Sequence, residues 1–145
     1  MLKVFKKHPD AKLPIRSTDL SAGYDLFALS EGVIPARGHA KVPTGLTLVL
    51  PECEEKGMLW TIQICSRSGL SVKNSLEKGA GLIDADYRGE TMVVLYNHSD
   101  VDYHYSTGAK IAQFIITKVA TFEIEEVDSI DETTRGEGGF GSTGI

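Results

Sequence analysis

The sequence predicts an all-β sandwich or barrel. Short apolar runs recur along the chain and are broken by many of its 15 glycines and 5 prolines. Met58, Trp60, Ile62 and Ile64 alternate with Leu59, Thr61, Gln63 and Cys65, the period of a half-buried strand. Only Leu70 to Asn74 reads as helix, and it is a single short turn.

The elements follow in order. Leu2 and Val4 flank Lys3 in a first strand, which Pro9 and Pro14 close off. Residues 22–28 form a second strand with one inward acid, Asp25; an Asx turn or cap is the plainer alternative for it. Val33-Ile34 stops at Pro35, and residues 45–50 run apolar as far as Pro51. A polar loop leads to the alternating strand of residues 58–65. Met92 to Tyr96 is a dense strand, and Tyr103 and Tyr105 mark another. Lys110 to Ile116 reads as buried, and Phe122 and Ile124 alternate with Glu123 and Glu125 as a last strand.

A chain of 145 residues suits one domain with a real core. No apolar run approaches the roughly 20 residues of a spanning helix, so no membrane partner is expected. The N-terminus is basic without an apolar signal core, which points to an intracellular, cytoplasmic protein, or a nuclear one in a eukaryotic cell. A net charge of −5 argues against a general nucleic-acid binder. A few arginines can still outweigh that charge locally and hold a small anion. Cys53 and Cys65 read as reduced, idle thiols, and the 4 histidines show no zinc spacing.

The stretch Gly79-Ala80-Gly81-Leu82-Ile83-Asp84-Ala85-Asp86-Tyr87-Arg88-Gly89-Glu90 concentrates chemistry. Glycines allow bends at its ends, and Leu82-Ile83 offers an apolar root. Extended, it would point Asp84 and Asp86 one way and Ala85 and Tyr87 the other. A turn carrying solvated charges is the plainer reading of such a segment. The tail from Thr133 to Ile145 is rich in glycine and cannot bury enough surface to order itself. Arg135, Ser142, Thr143 and a glycine backbone nevertheless offer what a polyphosphate needs. The tail lacks the Lys-Ser/Thr ending of a Walker loop.

Five stretches in order, at residues 22–28, 67–70, 81–90, 108–113 and 135–144, resemble the motifs of the trimeric deoxyuridine triphosphatases (dUTPases). The resemblance implies a β jelly-roll or β-clip-type barrel, a homotrimer and active sites shared between subunits. It divides the chain into a domain at 1–132 and a flexible arm at 133–145 that closes over a site. It implies Mg²⁺-dependent hydrolysis of dUTP to dUMP and pyrophosphate, which keeps dUTP low and supplies dUMP for thymidylate synthesis.

The same resemblance implies roles for individual residues. Asp84 would orient and deprotonate the attacking water. Tyr87 would lie under the deoxyribose, and the backbone of Gly81, Leu82 and Ile83 would pair with uracil. Arg67, Ser68, Gly69 and Gln113 would hold phosphates. Arg135, Gly141, Ser142 and Thr143 would close on the phosphate end, with Phe140 stacked on the base. Asp25 would touch the water shell of the metal. Three departures stand out: Ser66 where a proline is usual, Gln63 where a basic residue is common, and Ala109-Lys110 in place of an acid and an arginine. Two rival readings share the fold: a dCTP deaminase, and a non-catalytic binding platform.

Overall fold

The computed structural model describes residues 1–139 of the chain. Its backbone is mostly strand. In chain order these are β1 (Lys3–Lys6), β2 (Tyr24–Phe27), β3 (Gly32–Ile34), β4 (His39–Pro43), β5 (Leu46–Val49) and β6 (Met58–Cys65). A short helix α1 (Ser68–Asn74) follows, then β7 (Leu76–Gly79), β8 (Leu82–Ile83), β9 (Met92–Asn97), β10 (Tyr103–Tyr105) and β11 (Lys110–Ala120). Among the described residues no helix is long and apolar enough to cross a membrane.

A four-stranded sheet in the order β2-β11-β6-β8 faces a three-stranded sheet in the order β4-β9-β7 across one apolar cluster. Two-stranded ribbons, β1-β5 and β10-β3, complete the strand set. Inward residues of both sheets meet in that cluster: Leu26, Ile62, Ile64 and Phe114 from the first, Val42, Leu76, Val93 and Leu95 from the second. Phe114 is fully buried and stacks on Tyr24, ring centroids 5.1 Å apart. Antiparallel pairing and period-2 burial explain why the sequence alternates apolar and polar along these strands.

Several expectations need correction. The strand expected at Phe122 and Ile124 does not form: β11 ends at Ala120, and these two side chains are 86% and 100% exposed. Alternation alone suggested that strand, but among the described residues no neighbour pairs with it. β11 is longer than expected because its second half continues to pair with β6 out to Ala120↔Met58. β7 carries no obvious signal, since it holds Glu77 and Lys78. The helix begins at Ser68, two residues before Leu70.

Phe114 tests the core directly. Phe114→Ala should destabilise the fold by about 3–5 kcal/mol, from lost burial plus the cavity left behind. A urea unfolding curve reads this as a lower midpoint with little change in slope.

Candidate functional site

β8 is the edge strand of the four-stranded sheet and hangs on β6, with Ile62 opposite Ile83 and Gln63 opposite Leu82. The Ile64 N–H donates to the Gly81 carbonyl at 2.8 Å. The Thr61 hydroxyl donates to the Ile83 carbonyl at 2.8 Å. An antiparallel ladder alternates its bonding residues. Gly81 and Ile83 therefore face β6, and the N–H and C=O of Leu82 face the open edge. Entry to this strand needs two successive residues with positive φ, Ala80 at 54° and Gly81 at 111°. The second value is glycine territory.

From Asp84 to Tyr87 the chain follows the plainer of the two readings, a turn, and not an extended strand. After Ile83 the chain turns, and the Tyr87 N–H donates to the Asp84 carbonyl at 3.2 Å. A turn replaces the strand because β6 offers partners only as far as Ile83, and side chains then close the loop on itself. The Arg88 guanidinium donates to the carbonyls of Ala85 and Tyr87 at 2.8 and 2.9 Å. The Tyr87 hydroxyl donates to the Glu90 carbonyl at 3.1 Å. Neighbouring strands hold the far end. Thr47 donates to the Gly89 carbonyl at 3.0 Å, and the Glu90 carboxylate accepts the Gly45 N–H at 2.8 Å.

This turn encloses a cavity of about 190 Å³. Gly81, Leu82, Ile83, Asp84 and Tyr87 line it, which brings five of the expected residues together. Asp84 is exposed and Tyr87 is 45% exposed. Sequence reasoning missed Ile64, Thr91 and Met92, which also line it. The Thr91 hydroxyl is buried and has no hydrogen-bond partner among the described residues. Burial patterning gave no sign of these three: Ile64 and Met92 sit on strands read as core, and Thr91 lies just before β9. The volume lies well below the roughly 300 Å³ at which pockets for drug-sized ligands begin. It suits a ring and leaves no room for a triphosphate.

A second cluster forms at the end of β6 and does not line that cavity. Gln113 on β11 pairs with Asp25 on β2 and with Cys65 on β6, so the register itself gathers three of the motifs. Asp25 is buried. One of its oxygens meets the Arg67 guanidinium at 3.2 Å, and the other meets the Lys110 ammonium at 2.6 Å and the Ser17 hydroxyl at 3.0 Å. Burial by itself would push the Asp25 carboxyl up. The Lys110 and Ser17 hydrogen bonds and the Arg67 charge outweigh it and hold the carboxyl below the usual aspartate range. Arg67 also donates to the Lys110 carbonyl at 3.2 Å. The Gln113 amide donates to the Ser66 carbonyl at 3.0 Å, and a methyl on Gly23 would collide with the Gln113 side chain. Ser68 and Gly69 are exposed, with open space beside Gly69.

Lys110, one of the departures noted in the sequence, supplies the second cation to Asp25. Ser17 reaches Asp25 because Ile15 bridges to the same strand residue, a pairing that the intervening loop hides in the sequence. Among the described residues no group of three or more His, Cys, Asp or Glu side chains could hold a metal. With its oxygens engaged by two cations and a hydroxyl, Asp25 fits contact with a metal through water and not direct ligation. Arg135 is exposed and its guanidinium caps a local turn by donating to the Gly138 carbonyl at 2.8 Å. Phe140, Gly141, Ser142 and Thr143 lie outside the described residues.

The Asp25 cluster should make the fold acid-sensitive. A carboxyl held below its ordinary value of 3.8 adds stability that is complete above that value and is lost as pH falls through the lowered one. Urea midpoints measured from pH 6 to pH 2 should therefore fall below about pH 4. Asp25→Asn should be less stable at neutral pH and show a shallower acid decline.

The chain matches the family model described as dUTPase over residues 9–144. It is 50% identical to the deoxyuridine 5'-triphosphate nucleotidohydrolase of Oryza sativa subsp. japonica, across 100% of this chain and 81% of that protein. It is 49% identical to the enzyme of the same name from Arabidopsis thaliana, across 99% of this chain and 82% of that one. Its fold is similar to the dUTPase of Staphylococcus bacteriophage 80alpha solved with dUPNHPP, with a TM-score of 0.88 and 28% identity over 100% of this chain and 99% of that chain. A dUTPase from phage phi11 of S. aureus, whose structure is described as revealing the coordination of a structural Mg(II) ion, aligns with a TM-score of 0.78 and 25% identity, across 89% of this chain and 97% of that chain. By sequence and by fold, this chain belongs to the dUTPase family.

Proposed function

We propose that this protein hydrolyses dUTP to dUMP and pyrophosphate by attack of water on the α-phosphorus. One observation carries the reading. A single small cavity combines a free main-chain edge at Leu82, the carboxylate of Asp84 and the ring of Tyr87. Uracil presents an acceptor at O4 and a donor at N3, the complement of one N–H and one C=O. Cytosine reverses that polarity, and each buried group left unpaired costs about 1–3 kcal/mol. Thymine differs from uracil by one methyl, so only a close steric fit against the cavity wall can reject it.

Asp84 aims the water and takes its proton. Aspartate is a weak base, so orientation is the larger share of its work. The ring of Tyr87 packs under the deoxyribose and leaves no room for a 2′-hydroxyl. Arg67, the N–H groups of Ser68 and Gly69 at the start of α1, and the Gln113 amide hold the phosphates. Asp25 would hold Mg²⁺ through water beside the phosphates, where the ion would supply charge neutralisation for the leaving pyrophosphate.

The two clusters are separate in one chain, which supports a site completed by neighbouring copies. We take the assembly to be a homotrimer of jelly-roll domains formed by residues 1–132. The arm at 133–145 then closes over a neighbour's site, with Arg135, Gly141, Ser142 and Thr143 on the phosphates and Phe140 on the base. We place the protein inside the cell, acting on a free nucleotide without membrane or nucleic-acid partners.

Pyrophosphate release from dUTP in the presence of Mg²⁺ is the deciding assay. Ammonia release from dCTP with no action on dUTP would put the deaminase in its place. Asp84→Asn should keep nucleotide affinity within about threefold and lose at least about a hundredfold in kcat, the usual scale of a proton-transfer group. Tyr87→Ala should narrow the ratio of kcat/KM for dUTP over UTP. An unchanged ratio would take the ring out of the sugar site.

A further inference from the structure

The Glu77 carboxylate sits half-buried on β7 with no cationic partner among the described salt bridges. Two hydroxyls hold it. Ser66 donates to Oε2 at 2.6 Å, and Ser71 donates to Oε1. The Ser66 hydroxyl also accepts the Lys78 N–H at 2.9 Å, while its carbonyl accepts the Gln113 amide at 3.0 Å. Ser66 lies immediately before Arg67, and Ser71 lies in the first turn of α1. The segment Arg67-Ser68-Gly69-Leu70 is thus gripped at both ends by one carboxylate on a neighbouring strand.

We propose that Glu77 is a positioning residue that sets the geometry of the phosphate-holding segment through Ser66 and Ser71. This inference rests on the reading of Arg67, Ser68 and Gly69 as phosphate ligands. Ser68 and Gly69 are exposed, and of the segment only Leu70 packs against the apolar core, so packing anchors one end and leaves the other to hydrogen bonds. Hydrogen bonds to a carboxylate are charge-assisted and short, which suits them to the task. A segment fixed in advance loses less freedom when the ligand arrives, so the gain appears as affinity for the phosphates. Glu77 touches neither base nor sugar: it is absent from the cavity wall formed by Gly81, Asp84 and Tyr87.

The test compares two ligands on the full-length protein, deoxyuridine and non-hydrolysable α,β-imido dUTP. Glu77→Ala should weaken binding of the imido-triphosphate about tenfold, the scale of one or two side chains left unfixed, and leave the weak deoxyuridine affinity, followed by NMR titration, within about twofold. Glu77→Gln, which can accept one hydroxyl and donate to the other, should recover most of that loss. Ser71→Ala removes one tether from a solvated helix and should weaken the triphosphate about threefold, which decides the matter if Glu77→Ala fails to fold. Equal losses for both ligands, or no loss for the triphosphate, would overturn the positioning role. Wild-type protein that neither binds the imido-triphosphate nor cleaves dUTP would instead overturn the functional reading beneath it.

Discussion

The ladder between β6 and β11 constrains everything that matters for function. It runs from Gln113↔Cys65 to Ala120↔Met58 without a break in register. Because side chains alternate faces, a slip of one residue would turn Phe114 out of the core and Gln113 into it. The same ladder sets where β6 ends, and hence where Arg67 emerges. On its other edge β6 carries β8, so the main chain of Leu82 is placed by the same register. β2 joins the far side of β11 and brings Asp25 opposite Gln113. The open edge at Leu82 and the cluster around Asp25 and Arg67 are therefore not independent inventions of two loops. They are consequences of one sheet order.

Electrostatics then give each end a distinct character. The cavity end is built from main chain, a phenol and an exposed carboxylate, with its turn locked by hydroxyl and guanidinium bonds to carbonyls. The other end is a buried acid enclosed by Arg67 and Lys110. A carboxylate with two cations leaves net positive charge, which suits an anion, while the chain as a whole is negative at −5. Local charge decides here because screening confines the global field to about 8–10 Å at cellular salt. The arginine and lysine flanking Asp25 also hold each other's side chains in place through it, which fixes Arg67 before any ligand arrives.

Much of this was legible in the sequence, and the reasons differ from residue to residue. Strands such as β6 and β9 announced themselves because burial on one face imposes alternation or a dense apolar run. Asp25 read correctly as an inward acid because hydrophobic residues surround it in a short strand. Phe122 and Ile124 misled for the converse reason: alternation reports a capacity to pair, and among the described residues no strand pairs with them. The course after Ile83 stayed open between extended chain and turn, because a turn held by side-chain bonds to carbonyls leaves no periodic trace. Ser17 was invisible since its role depends on a long-range bridge at Ile15. The Glu77 link was hidden too, as a lone acid in a polar stretch looks the same whether it faces water or two serines.

The departures at Ser66 and Lys110 fit together physically. A proline would stiffen the approach to Arg67 by fixing φ while forgoing an N–H. Serine fixes nothing through its own covalent structure, so any stiffness must come from partners. Ser66 has three of them, the Glu77 carboxylate, the Lys78 N–H and the Gln113 amide, and each belongs to a strand anchored in the core. Lys110 makes a similar exchange. An ammonium lacks the fork of a guanidinium and binds a carboxylate as a point charge. Asp25 compensates by drawing its directional contacts from Arg67 and Ser17. In both places geometry that one rigid residue could supply is spread over several flexible ones. The contacts converge on Ser66 and Asp25, so losing either removes three at once, while losing Lys78, Gln113, Lys110 or Ser17 as a partner removes only one.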